Sequence, residues 1–253
     1  MKVFFLGTGT SQGVPVIGCR CDVCKSQDNR DKRLRSSVLV RYKRKNIVID
    51  TGPDFRYQML RQNISKIDAV LYTHEHKDHV GGLDDIRPLN FIENKSIPIY
   101  CSERVNDSLR QSYPYIFSKK KYPGLPQVEV NIINDDNFYV NEIKVTPISG
   151  LHYKLPVHGF RINDFTYLTD FSFISKEEKI KISGTKTLVV NGLRVEKHFS
   201  HFNLEQALDL IKEISPKYAY ITHISHLLGR HDKVSDILPD NVFLSYDGLS
   251  ITV

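Results

Sequence analysis

The sequence predicts an α/β (α+β) chain built as a sandwich of two mixed β-sheets with helices on the outer faces. Three observations carry this. Strand-like runs dominate both halves of the chain, helical stretches fall between them, and the order roughly repeats from the first half to the second. No internal sequence repeat, low-complexity segment or evident linker interrupts the 253 residues, so a single domain over 1–253 is expected. A doubly wound parallel sheet accounts for that order less well.

In chain order, Val3–Leu6 reads as a strand closed by the glycine turn Gly7-Thr8-Gly9-Thr10. Ser37–Tyr42 alternates in character, and Asn46–Asp50 ends in the acidic Gly/Pro turn Thr51-Gly52-Pro53-Asp54. Helices are expected near 57–64 and 103–112, with apolar strands at Asp68–Tyr72 and Ile97–Tyr100. Glu142–Ile148, Val157–Ile162, Phe165–Thr169 and Thr187–Val190 are the strands of the second half. In 204–214 the apolar residues Leu204, Ala207, Leu208, Ile211 and Ile214 make one helical face. Asn203 is its N-cap and Gln206 completes a variant capping box. Lys217–Thr222 follows as a strand, and Asn241–Val253 reads as a closing hairpin turned at Asp247-Gly248.

Composition is that of a globular protein, 40% hydrophobic and 25% charged, enough to bury a sizeable core. No stretch approaches the roughly 20 apolar residues a bilayer span needs, and the glycine-broken N-terminus lacks a signal peptide's apolar region. The cytoplasm is the default location and no membrane partner is expected. The net charge of +6 favours anionic partners, but the excess is spread thinly and Lys119-Lys120-Lys121 is the longest basic run. Nucleic acid stays open without being favoured, since no RNA motif or helix-turn-helix signal accompanies that charge. A homodimer is compatible with the sequence, which does not fix oligomeric state.

The most informative stretch is His74-Glu75-His76-Lys77-Asp78-His79, an H-x-H-x-D-H cluster at the end of an apolar strand. Strand alternation sends His74, His76 and Asp78 to one side, and a turn into a helix brings His79 back across the same space. Imidazoles and a carboxylate converging on one volume are the ligand set of a hydrolytic metal site. Their number exceeds what one ion with an open position needs, so two ions are expected.

Cys19, Cys21 and Cys24 lie at i, i+2 and i+5 in a chain without a secretion signal, which points to a metal loop instead of a disulfide framework. Reduced loop thiols are the other reading. Zinc needs a fourth ligand: Cys101 follows a strand and reads equally as a buried thiol, while Thr222-His223-Ile224-Ser225-His226 offers a better partner. His152, Asp170 and His223 each stand at or just past a strand end, as His74 does, so four strand ends can supply one rim.

The set His74, His76, Asp78, His79, His152, Asp170 and His223, spread over nearly the whole chain, resembles the metallo-β-lactamase superfamily. With Gly7-Thr8-Gly9-Thr10-Ser11 and the cysteine loop, it resembles in particular the phosphoribosyl cyclic phosphate phosphodiesterases of the carbon–phosphorus lyase pathway. The resemblance implies an αββα sandwich and a dinuclear hydrolase that cleaves small cyclic phosphodiesters with a metal-bridging hydroxide. By the same resemblance His74, His76 and His152 hold one divalent ion, zinc or manganese. Asp78, His79 and His223 hold the second, with Asp170 bridging. Cys19, Cys21, Cys24 and His226 hold a structural zinc. Matched at Ser200-His201-Phe202-Asn203-Leu204, His201 becomes the substrate-facing general acid, although a surface histidine is the plain reading of that residue alone. Asp50 resembles the acid that orients the ligand loop, and a strand-end cap explains it equally. His158, His198 and His231 read as ordinary histidines.

Two other readings stay open: a tRNA 3′-processing nuclease of the same superfamily, and a pyrroloquinoline-quinone biosynthesis protein with little turnover. The complete seven-ligand set favours catalysis. Residues 113–126, rich in Tyr and Lys, are either a rim loop over the site or an ordinary exposed loop.

Overall fold

The computed structural model describes residues 1–118 and 122–253. The first sheet is built from β1 (Lys2–Gly7), β2 (Ser37–Tyr42), β3 (Lys45–Ile49), β4 (Ala69–Leu71), β5 (Ile97–Cys101) and β6 (Val128–Ile132). The second comprises β7 (Phe138–Val140), β8 (Ile143–His152), β9 (Leu155–Ile162), β10 (Phe165–Leu168), β11 (Thr187–Asn191), β12 (Tyr218–Thr222) and β13 (Val242–Leu244). A last strand, β14 (Ser250–Thr252), returns to the first sheet beside β1. The spatial orders are β14-β1-β2-β3-β4-β5-β6 and β13-β12-β11-β10-β9-β8-β7. Each sheet runs antiparallel on one side and parallel on the other, through β3 to β6 and β10 to β13.

Side-chain alternation explains the layering. In β1 to β4, Val3, Phe5, Val38, Val40, Ile47, Ile49, Ala69 and Leu71 point inward to one core shared with Phe160, Phe165, Tyr167 and Val189 of the second sheet. Their neighbours Leu6, Leu39, Val48 and Val70 point the other way, into a core closed by the helices α1 (Phe55–Arg61), α2 (Lys77–Val80), α3 (Arg87–Glu93) and α4 (Glu103–Ser112). These strands are apolar on both faces because both faces are covered. A short helix, α5 (Pro114–Phe117), extends that layer. On the far side, Leu168, Leu188, Val190 and Ala219 pack against α6 (Lys176–Ile182) and α7 (Leu204–Ile214). The final helix, α8 (His231–Ser235), packs next to β13. The result is the expected αββα sandwich.

Helix α7 follows its sequence closely. Asn203 Oδ1 accepts from Gln206 N at 3.0 Å and Gln206 Oε1 accepts from Asn203 N at 3.1 Å, a complete capping box. Helix α1 begins two residues before the expected 57, and β8 runs on past Ile148 to His152 because it pairs with β9 along its length. The C-terminal hairpin is a correction: β13 joins β12 in parallel, while β14 crosses to β1. The Asp247-Gly248 turn thus links the two sheets, and Asp247 is tied there by Thr8 Oγ1 and Leu34 N. Among the described residues no helix is long and apolar enough to cross a membrane.

Candidate metal centre

The carboxyl ends of β3, β4, β10 and β12, with the end of β8, meet along one edge of the sandwich. Here the chain departs from the pleat. Strand β4 stops at Leu71, so alternation does not deliver His74, His76 and Asp78 as the sequence implied. A loop carries His74, and His76 caps α2, whose first turns hold Asp78 and His79. That helix is pinned by Thr51 N donating to His79 O at 2.8 Å. Gly52 is required by close approach: a Cβ there would lie 2.2 Å from the Asp78 carbonyl oxygen. Asp50, Asp170 and His223, each just past a strand end, all adopt left-handed backbone with φ of 65°, 63° and 54°. Non-glycine residues held in that region cluster at functional sites.

The histidines form one contiguous group. Ring centroids lie 4.2 Å apart for His74–His79, 5.0 Å for His76–His152, 4.4 Å for His152–His201 and 5.0 Å for His201–His223. Ligand atoms of Asp78, His79, Asp170 and His223 fall within 4.8 Å of one another, as do those of His152, Asp170 and His201. Asp170 belongs to both sets. His74 and His76 border the second set through their rings, and His201 stands closer to Asp170 than the expected ligand division implied.

Hydrogen bonding sets which nitrogen faces inward. Ser200 O can only accept, so His152 donates to it from Nδ1 at 2.7 Å and turns an Nε2 lone pair to the site. Thr73 Oγ1 donates to Asp50 Oδ2 and is 3.0 Å from His74 Nδ1, which leaves His74 Nε2 without a partner in a fully buried place. His79 gives Nδ1 to Asp50 Oδ2 at 2.7 Å, and its Nε2 points at Asp78 Oδ2 (3.1 Å) and Asp170 Oδ2 (3.2 Å). Lone pairs and carboxylate oxygens so placed repel unless a cation stands among them. The donor set therefore fits divalent metal.

Where no cation stands among them, a proton on His79 offsets the carboxylates. Burial works against a charged His79, yet Asp170, Asp78 and Asp50 hold its pKa well above the usual histidine range. Burial pushes His74 well below that range and His223 down to about 3. Burial opposes a charged Asp170, but His223 and His79 keep it ionised. Burial raises Asp50.

The cysteine loop closes on the same edge. Cys19, Cys21, Cys24 and His226 gather within 4.8 Å, with both Cys19 Sγ and Cys21 Sγ 3.3 Å from His226 Nδ1. Val16 N donates to Cys24 Sγ at 3.4 Å and Cys24 N to Cys21 Sγ at 3.5 Å, the backbone pattern that suits thiolates. Burial beside the other thiols pushes Cys24 up to about 11, so three thiolates require a cation. The donors fit zinc. Cys101 is fully buried on β5, and burial pushes its thiol up to about 12.

His198, read as ordinary from sequence, lies beside the group: its Nδ1 accepts from Ser200 N at 3.3 Å and is 3.3 Å from His201 Nδ1. Sequence reasoning also passed over Thr73 and Ser200, which orient ring nitrogens, and the Arg104–Glu75 ion pair at the mouth. Thr73, Glu75 and Ser200 were marked only by adjacency to histidines, and Arg104 by nothing in the sequence. His158 stays ordinary, 3.5 Å from Asp135. His231 is buried, its Nδ1 accepting from Arg33 Nη2 at 3.2 Å and its backbone N–H donating to Asp31. In the 113–126 stretch, Lys119, Lys120 and Lys121 lie outside the described residues. Tyr113 and Tyr115 bond Val80 O and Asp84 and pack on the outer helix layer, so they do not roof the site.

The sequence model of the beta-lactamase superfamily domain matches residues 45–224. The chain belongs to the beta-lactamase superfamily. A crystal structure of a diphosphatase from the PhnP family superposes with a TM-score of 0.93 at 39% identity, covering 99% of this chain and 96% of that one. A protein of Porphyromonas gingivalis named octanoyltransferase is 41% identical over 100% of this chain. A ribonuclease Z of Prochlorococcus marinus is 29% identical over 72% of it. The chain spans about half the length of these curated relatives, 52% and 55% respectively.

Proposed function

We propose that the chain is a dinuclear metal-dependent hydrolase of small phosphodiesters, the cyclic phosphates of sugars or nucleosides being the substrate class. The observation that carries this reading is Asp170, whose two oxygens face two donor groups: Oδ2 toward His79 and His223, Oδ1 toward His201. Asp78, His79 and His223 would hold one ion and His74, His76 and His152 the other, with Asp170 between them. Cys19, Cys21, Cys24 and His226 would hold a structural zinc. Zinc and manganese both suit mixed imidazole and carboxylate ligands. When bound, such ions acidify a coordinated water and neutralise charge on a phosphate.

The chain's own residues supply the rest. Asp50 and Thr73 hold His79 and His74 in the orientations that leave Nε2 free. Hydrolysis joins a water oxygen to phosphorus and breaks the P–O bond to the leaving alcohol, which needs a proton. His201 is placed to give it: its Nε2–H now donates to Asp170 Oδ1 at 3.0 Å. Its Nδ1 lies 3.0 Å from Ser200 Oγ, so that hydroxyl selects the tautomer. A cavity of about 580 Å³ opens onto His76, His152 and Ser200, room for a small anion and part of its leaving group.

The diphosphatase relative, similar over its whole length, supports phosphorus–oxygen chemistry. The ribonuclease Z relative keeps RNA 3′ processing as a second reading. The octanoyltransferase relative is about twice the length of this chain, so its activity is not carried over. The test is hydrolysis of 2′,3′-cyclic AMP, bis-p-nitrophenyl phosphate and a tRNA precursor by metal-defined protein beside a His76→Ala control. Turnover of the small diesters, lost in the control, is expected. No turnover with zinc or manganese would overturn the proposal, and cleavage confined to the tRNA precursor would favour the nuclease.

A further inference from the structure

We infer that the mouth of the centre is a nucleobase platform, and that the substrate is a nucleoside-bearing phosphodiester instead of a bare sugar phosphate. The inference rests on the phosphodiesterase reading and names its substrate class.

The platform is Tyr153 with Phe199. The two rings meet at 5.4 Å with an interplanar angle of 88°, one forming the floor and the other the wall of an apolar step. They are 53% and 72% exposed, an unusual cost for two large aromatic side chains. Both line the cavity that opens onto His76, His152 and Ser200. Each is the immediate neighbour of a centre residue: Tyr153 follows His152, and Phe199 precedes Ser200 and His201.

Two features show that these rings are held and not merely left outside. Tyr153 is the first of the two residues turning β8 into β9, with His152 paired to Leu155 across the turn. Its φ is 58°, at a position where a two-residue hairpin ordinarily uses glycine. A bulky residue in left-handed backbone is strained, and here the strain aims the ring at the mouth. Phe199, for its part, is stacked on His198 at 4.6 Å and 27°, and His198 lies 3.3 Å from His201. The floor of the step is thus tied to the general-acid histidine.

The charges flanking the step fit a nucleotide. Lys154 Nζ stands 5.3 Å from the Tyr153 ring centroid, and Arg104, which lines the same cavity, bonds Glu75 through Nε while 60% of its side chain stays exposed. A flat base lying on the step places its sugar between these cations and its phosphate over His76 and His152. A base stacked on aromatic rings contributes about 1–3 kcal/mol, or roughly 5- to 150-fold in affinity. A sugar phosphate without a base leaves the step empty.

The deciding experiment compares 2′,3′-cyclic AMP with glycerol 1,2-cyclic phosphate, the same five-membered phosphodiester without a base, on wild type, Phe199→Ala, Tyr153→Ala and Phe199→Tyr. Binding of adenosine 2′-monophosphate and of ribose 5-phosphate is measured beside it by calorimetry. Wild type is expected to prefer the nucleotide at least about tenfold in kcat/KM. That ratio collapses in either alanine variant, mainly through KM, and is kept by Phe199→Tyr. A ratio near one in wild type, or one unmoved by both alanine variants, overturns the platform and leaves the phosphodiesterase reading standing. If neither diester turns over, that reading falls. The platform then stands on base-dependent binding weakened by Phe199→Ala, and falls if the two monophosphates bind alike.

Discussion

Asp50 Oδ2 accepts the Nδ1–H of His79 at 2.7 Å while its Oδ1 accepts the Thr73 backbone N–H at 2.9 Å. One buried carboxylate thereby fixes which nitrogen of His79 faces Asp78 and Asp170, and anchors the loop that carries His74.

Asp50→Asn removes the charge that holds this orientation. Carboxylates in this position typically contribute 10- to 100-fold to metal affinity or activity. A loss of about that size in metal affinity is expected, read by competition with a chromophoric chelator. Unchanged affinity would mean that Asp50 serves only as a strand-end cap.

His201→Ala is expected to lower phosphodiester turnover by about 10²- to 10⁴-fold, the range of a general acid. Metal content by elemental analysis should stay at the wild-type level. A loss of metal in step with activity would make His201 a ligand instead.

Cys24→Ser takes one thiolate from the loop that faces His226. The expected outcome is one zinc fewer per chain and a lower melting temperature. The scale is about 2–4 °C for each kcal/mol in a chain of this size. Zinc stoichiometry equal to wild type would show that the loop thiols bind none.

Gly52→Ala drives a methyl group against the Asp78 carbonyl oxygen, a backbone atom that has nowhere to retreat. A destabilisation of about 1–3 kcal/mol in urea unfolding is expected, with weaker metal binding.

His231 supplies a pH test apart from the centre. Burial, reinforced by the Arg33 and Arg30 guanidinium groups, pushes it down to about 4. The unfolded chain, with a histidine pKa near 6.5, binds the proton first. Stability from this residue is thus complete above that value and is lost as pH falls from about 6.5 towards 4. A His231→Gln variant should show a shallower acid limb in urea unfolding, and identical limbs would exclude the linkage.

The layers were legible because alternation is a local property: Val38, Leu39 and Val40 declare two buried faces wherever their sheet sits. The capping box at Asn203 and Gln206 is likewise written within four residues. Partner choice is not local. Val242-Phe243-Leu244 and Ser250-Ile251-Thr252 flank a good turn, and nothing in their periodicity says that one joins β12 and the other β1. In the candidate centre, residue types at strand ends identified the histidines and aspartates, while the route was misread because the pleat ends at Leu71. The 3.3 Å approach of His198 to His201 was not legible either, because it runs across a turn and follows no spacing.

His74, His76, Asp78 and His79 hang from the first sheet, whereas His152, Asp170, His201 and His223 hang from the second. Cations shared by both would rivet the sandwich along its open seam and so act as a latch. Binding at a hundredfold over the dissociation constant adds about 2.7 kcal/mol to the folded state. Chelation should therefore loosen the rim before the cores, and protease nicking of the His74–His79 loop would report occupancy with no substrate present.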